Sequence, residues 1–130
     1  MKRLLSFIVF LMFSNAAMAE WVLLHKAKEF NEYFDPATIR HDGNMVKMWT
    51  LVDFKKTQYG RRGVYLSQKT QWEYDCQEET TRILTLVDYS GNFGFGTVTD
   101  NFTPNKSEYP HSPILPGSLG ESAWKKACLN

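Results

Sequence analysis

The 130-residue chain has no cysteine pair at metal-binding spacing, no H-x-x-x-H and no serine in a G-x-S-x-G setting. Its two cysteines are Cys76 and Cys128, and its three histidines, His25, His41 and His111, fall in separate segments without ligand partners nearby. No metal and no other cofactor is therefore expected. Glu78-Glu79 is a carboxylate pair in a polar turn, and an acid–base dyad needs burial to part its two pKa values. No enzymatic centre emerges. Charge of one sign is missing too. Fifteen Lys and Arg stand against 14 Asp and Glu, which gives nucleic acid or anionic membrane no electrostatic hold. Internal repeats and βαβ alternation are lacking, which argues against doubly wound folds. The glycine-rich Ser90–Gly96 has no helix pattern after it, so it reads as a hairpin or bulge and not as a phosphate cradle.

What is present begins with an export signal. Met1-Lys-Arg precedes an apolar run from Leu4 to Phe13, then Ala17-Met-Ala19. That run is too short to span a bilayer and has the order of a signal peptide, residues 1–19, cleaved before Glu20. One domain, residues 20–130, remains, with no integral membrane segment. The mature chain is exported: periplasmic, on the outer surface or secreted. In such a compartment two cysteines most simply form a disulfide, Cys76–Cys128. Closing a loop of that length removes about 4 kcal/mol of unfolded-chain entropy.

The remaining pattern is mostly strands. Trp21–Leu24 and Glu32–Phe34 read as short ones, with Pro36 starting a single helical turn. Asp42-Gly43 signals a tight hairpin. Met45–Phe54 alternates: Val46, Met48, Thr50, Val52 and Phe54 on a core face, and Met45, Lys47, Trp49, Leu51 and Asp53 on a mixed, partly wet one. Lys55–Gly63 reads as an exposed loop. Tyr65–Cys76, Thr81–Tyr89 and Thr97–Thr99 follow as strands, and Asn101–Leu115 as loop. A helix then starts at Ser118, whose hydroxyl and Glu121 form a capping box. Leu119, Gly120, Ala123, Trp124, Ala127 and Cys128 share its apolar half. The class is α+β: an antiparallel sheet of about six strands, with a C-terminal helix packed on one face and tethered by the disulfide.

Aromatics make up 15% of the chain. Most belong to a core, but Tyr59 and Tyr65 flank Arg61 and Arg62, and Trp49 sits on the mixed strand face. Tyr, Trp and Arg are the residues of binding hot spots. These five are the candidate ligand-binding residues.

The order of these features resembles the surface-adhesin protein E-like domain family of Gram-negative bacteria. The resemblance rests on Tyr33-Phe-Asp-Pro36, Met45-Val-Lys-Met-Trp49 with Val52-Asp53, and Tyr74-Asp-Cys76. Tyr89-Ser90-Gly91, Pro113-Ile-Leu-Pro-Gly-Ser118 and the helix ending in Cys128 complete it. It covers essentially the whole mature chain. It implies an antiparallel sheet of about six strands with a disulfide-held helix, and adhesion to host matrix or serum proteins such as vitronectin and laminin. Two functions stand side by side: an adhesin-like binding module with a host protein partner, and a periplasmic or secreted inhibitor or structural accessory protein with a protein partner of its own.

Overall fold

The computed structural model describes residues 20–129. The signal peptide expected over residues 1–19 lies outside the described residues, as does Asn130. Three long strands form the centre of one sheet: β4 (Met45–Tyr59), β5 (Val64–Asp75) and β6 (Thr80–Tyr89). They pair as an antiparallel meander. On the outer edge of β4, β2 (Phe30–Phe34) pairs with Thr50–Phe54, and β3 (Arg40–Asp42) pairs with Met45–Lys47. Beyond β2 lies β1 (Val22–Lys26). On the outer edge of β6, β7 (Val98–Phe102) and the two-residue β8 (Ser112–Pro113) share the length in the same way. The sheet therefore has eight strands where about six are expected. The two extra ones, β3 and β8, are short and fully exposed. Neither is long enough to show an alternation of apolar and polar residues.

The core lies between one sheet face and helix α1 (Leu119–Cys128). Val46, Met48 and Tyr74 from the sheet and Ala123 and Ala127 from the helix are all at most 3% exposed. Small residues on the helix let it sit close, as its sequence predicts. In β1 a bulge between Leu23 and His25 turns Leu24 toward this core. The Cys76–Cys128 bond closes the far end of the helix, with Cα atoms 5.6 Å apart. Only half of the capping box forms. Ser118 Oγ accepts from the Glu121 amide at 3.2 Å, but the Glu121 carboxylate turns to Lys125 at 3.3 Å.

Two further local expectations are corrected. The turn between β3 and β4 is centred on Gly43 and Asn44, since Asp42 already pairs with Met45; Gly43 takes the left-handed φ of 59°. Lys55–Tyr59 is strand and not loop: β4 runs on past an irregularity that follows Asp53, and Gln58 and Tyr59 pair with Tyr65 and Val64 of β5. The sheet face away from the helix is also drier than its composition suggests. The Ser90–Gly96 bend lies over it: Asp53 accepts from the Asn92 side chain at 3.0 Å and the Phe93 amide at 2.9 Å. Ser67 Oγ accepts from the Gly94 amide and donates to the Gly91 carbonyl. Leu51 and Ser67 are consequently 0% exposed. Gly94 takes the left-handed φ of 74° here, a conformation that favours glycine.

Candidate functional site

Strands β4 and β5 run past the last partners of their neighbours. Pairing to β2 stops at Phe54, while β4 and β5 continue together to Tyr59 and Val64. The result is a two-stranded ribbon ending in Gly60–Gly63, closed by the Gly60 amide donating to the Gly63 carbonyl at 2.9 Å. Tyr59, on this ribbon, is 87% exposed. The Arg61 and Arg62 side chains are also largely exposed, at 57% and 68%. They are not free, however. Both reach Asp100 of β7: Arg61 through two donors at 3.3 and 3.4 Å, Arg62 at 3.8 Å. The Arg61 guanidinium also lies 5.4 Å from the centre of the Phe102 ring. The hydrogen bond from Arg61 holds the Asp100 carboxyl below its ordinary range, helped by the charges of Arg61 and Arg62. Tyr65 packs edge-on against Phe54 at 5.7 Å, and burial raises its phenol. Gly60, Arg61, Tyr65, Leu86, Asp88, Asp100 and Phe102 line an open basin of about 290 Å³. Asp88 in its floor is pushed up by burial, against the lowering effect of a hydrogen bond from Gln68 at 2.8 Å.

Four of the five candidate residues are therefore brought together on the ribbon and around its basin. The fifth, Trp49, is not. It lies on the sheet face away from the helix, in a separate groove of about 260 Å³ lined by Trp21, Asp35, Thr38, Lys69 and Tyr89. Lys69 Nζ lies 4.9 Å from the Tyr89 ring and 5.7 Å from the Trp21 ring. Asp35 and Thr38 are committed to the local turn: Asp35 caps the Ala37 amide, and Thr38 Oγ accepts from the Trp49 amide.

Sequence reasoning missed Asp100 and Phe102, which sit where loop is expected to begin. Their role as anchors for Arg61 comes from a contact spanning 39 residues, for which no local signal exists. It also missed Glu32. That residue alternates with Phe30 and Phe34 on one strand face, so its inward direction is legible. Glu32 is 9% exposed, and burial pushes its carboxyl up to about 7.

Among the described residues, no helix is long and apolar enough to cross a membrane, and no group of three or more His, Cys, Asp or Glu could hold a metal ion.

No curated protein sequence matches this chain. Solved structures of protein E from Haemophilus influenzae share its fold. One crystal form superposes with a TM-score of 0.61 at 17% identity, covering 82% of this chain and 92% of that one. The protein from a non-typeable strain gives 0.62 at 17% identity, covering 89% and 80%. At this identity the likeness concerns the fold. The sequence profile of surface-adhesin protein E, in contrast, matches residues 21–129. The chain belongs to the surface-adhesin protein E family.

Proposed function

We propose that this exported, adhesin-like protein is a non-catalytic binding module that recognises a host matrix or serum protein through the β4–β5 ribbon. Membership of an adhesin family supports a surface protein that acts by binding. The observation that carries the choice of surface is the ribbon tip itself. Tyr59 is 87% exposed and is followed within three residues by two arginines held in place by Asp100. An exposed tyrosine offers contact area at low entropic cost, and positioned guanidiniums lose less freedom on binding than mobile ones. The ribbon is rooted in a long antiparallel pair, which gives it a rigid base.

The test is binding of the mature protein to immobilised vitronectin and laminin, the partners implied by the family resemblance. Tyr59→Ala, and Arg61→Ala combined with Arg62→Ala, should each weaken binding by about fivefold or more, roughly 1 kcal/mol. The loss from the arginine pair should shrink in high salt. Parental binding by both folded variants would remove the ribbon from the contact surface. Labelling of intact cells with an impermeant reagent separates an outer-surface adhesin from a periplasmic accessory protein.

A further inference from the structure

Between the first turn of α1 and the sheet lies a third cavity, a pocket of about 170 Å³. Glu32, Trp72, Tyr74 and Thr81 line it from the sheet, and Leu119 and Ala123 from the helix. It shares no residue with the basin at the ribbon. The Trp72 and Tyr74 rings stand 6.5 Å apart at a 33° tilt and form one wall. Trp72 is fixed there by its indole N–H, which donates to Thr50 Oγ at 2.9 Å. Glu32 is the only carboxylate in this lining. It is 9% exposed, and no described residue gives its carboxylate a hydrogen bond or an opposite charge: burial alone sets its state. A buried carboxylate without a donor is costly. An incoming cation relieves that cost.

The groups around Glu32 narrow the kind of cation. His25 stands opposite it on β1 but is exposed, and β4 presents Val52. On β5, Tyr74 is buried, and both burial and the neighbouring Glu32 charge keep its hydroxyl protonated. The helix presents Leu119, Gly120 and Ala123, while its charged residues, Glu121, Lys125 and Lys126, lie outside this lining. The Thr81 hydroxyl already donates to the Glu73 carbonyl, which leaves its lone pairs to accept. A planar guanidinium holds its five donors in one rigid fork, whereas the carboxylate and the two hydroxyls here stand on three different strands, β2, β5 and β6, around a pocket of about 170 Å³. A compact ammonium has three donors on a flexible stem, and aromatic faces favour a cation beside them.

We propose that this pocket binds a primary ammonium on a short unbranched aliphatic stem, with the Glu32 carboxylate receiving the ammonium and Trp72 and Tyr74 flanking the stem. The group can arrive as a free alkylamine or as the lysine side chain of a peptide. Binding selects the ionised carboxylate, so it releases a proton wherever Glu32 is protonated in the free protein. With the Glu32 carboxyl near 7 and the amine protonated throughout, affinity should rise about tenfold from pH 6 to pH 8.

The experiment titrates the mature, disulfide-bonded protein with n-butylammonium, N-acetyl-lysine-methylamide and, as the uncharged control, 1-butanol, following the Trp72 indole N–H by NMR. The expected result is saturable binding of an ammonium, at least tenfold tighter than 1-butanol at pH 8. Glu32→Gln should reduce that binding at least tenfold and leave 1-butanol unchanged. In the parent, affinity should climb between pH 6 and pH 8, and the climb should persist in His25→Gln, which isolates Glu32 as its source. Saturation by both ammonium probes assigns the pocket to lysine side chains; saturation by n-butylammonium alone assigns it to free amines. Failure of both ammonium probes to saturate, equal affinity for butanol, or a flat pH profile would overturn the proposal. The pH profile needs no variant, so the test stands even if Glu32→Gln fails to fold.

Discussion

The indole N–H of Trp124 donates to the backbone carbonyl of Asp75 at 3.1 Å, across 49 residues of sequence. The next residue after Asp75 is Cys76, whose disulfide partner Cys128 lies one helical turn beyond Trp124. The C-terminal helix is therefore fixed to the end of β5 at two successive residues, once by a hydrogen bond and once covalently. The Trp124 ring is half-buried against the core, less than full burial would give.

Trp124→Ala should accordingly cost about 2–4 kcal/mol, below the top of the range for a fully buried ring. Trp124→Phe keeps most of the ring but orphans the Asp75 carbonyl, and should cost about 1 kcal/mol. Lys125→Ala removes only an exposed pair with Glu121, for a loss under about 0.5 kcal/mol. Urea melts of the three variants measure this. Equal losses for Trp124→Ala and Lys125→Ala would put the wrong helix face against the sheet.

Native protein should show no alkylatable thiol, and its mass should rise by two hydrogens on reduction. Replacing Cys76 and Cys128 together by alanine should lower stability by about 2–4 kcal/mol, because the link closes a loop across 52 residues. Intact-mass measurement and melts with and without reductant check both statements.

Stability should depend on pH through Glu32. Its ordinary carboxyl value of 4.5 is raised to about 7 in the folded chain. The native state thus holds this proton more tightly than the unfolded one. The group's contribution is most favourable below about pH 4.5, falls as pH rises toward 7, and is lost above that. Glu32→Gln should therefore match the parent near pH 4.5 and exceed it by about 1–3 kcal/mol at pH 8. Denaturant melts at the two pH values give the difference; a variant less stable than the parent at pH 8 would contradict it.

Asp100→Asn should loosen the ribbon tip without unfolding the domain. Arg61 and Arg62 both lose their charged partner, and exposed pairs contribute little to global stability. Melts of the variant and the parent should nearly coincide. Amide exchange at Gly60–Gly63 should nonetheless quicken, since Arg61 ties this turn to β7. Unchanged exchange there would mean that the backbone bond from Gly60 to Gly63 holds the tip alone.

Much of the architecture is local and could be read directly. Val46, Met48 and Thr50 alternate with Met45, Lys47 and Trp49, and the first set is buried as that alternation requires. Ser118 caps the helix because its hydroxyl reaches the amide three residues on, and Ala123 and Ala127 recur at the spacing that places both on the sheet. The extent of β4 could not be read, because Lys55, Lys56 and Gln58 carry polar side chains that resemble loop, yet the strand runs on through them until Gln58 pairs with Tyr65 of β5. Pairing is a property of two segments, and composition reports on one.

The linear chain by itself thus determined an antiparallel, helix-capped, disulfide-closed domain, since strand period, cap and cysteine count all act over a few residues or through chemistry independent of register. Tertiary structure alone decided what each exposed or buried group meets. It set Arg61 against Asp100, laid the Ser90–Gly96 bend over Leu51, and left the Glu32 carboxylate facing a pocket without a hydrogen bond from any described residue. Those outcomes depend on strand register and on where the helix lands. Side chains distant in sequence become neighbours only once the sheet has closed around them.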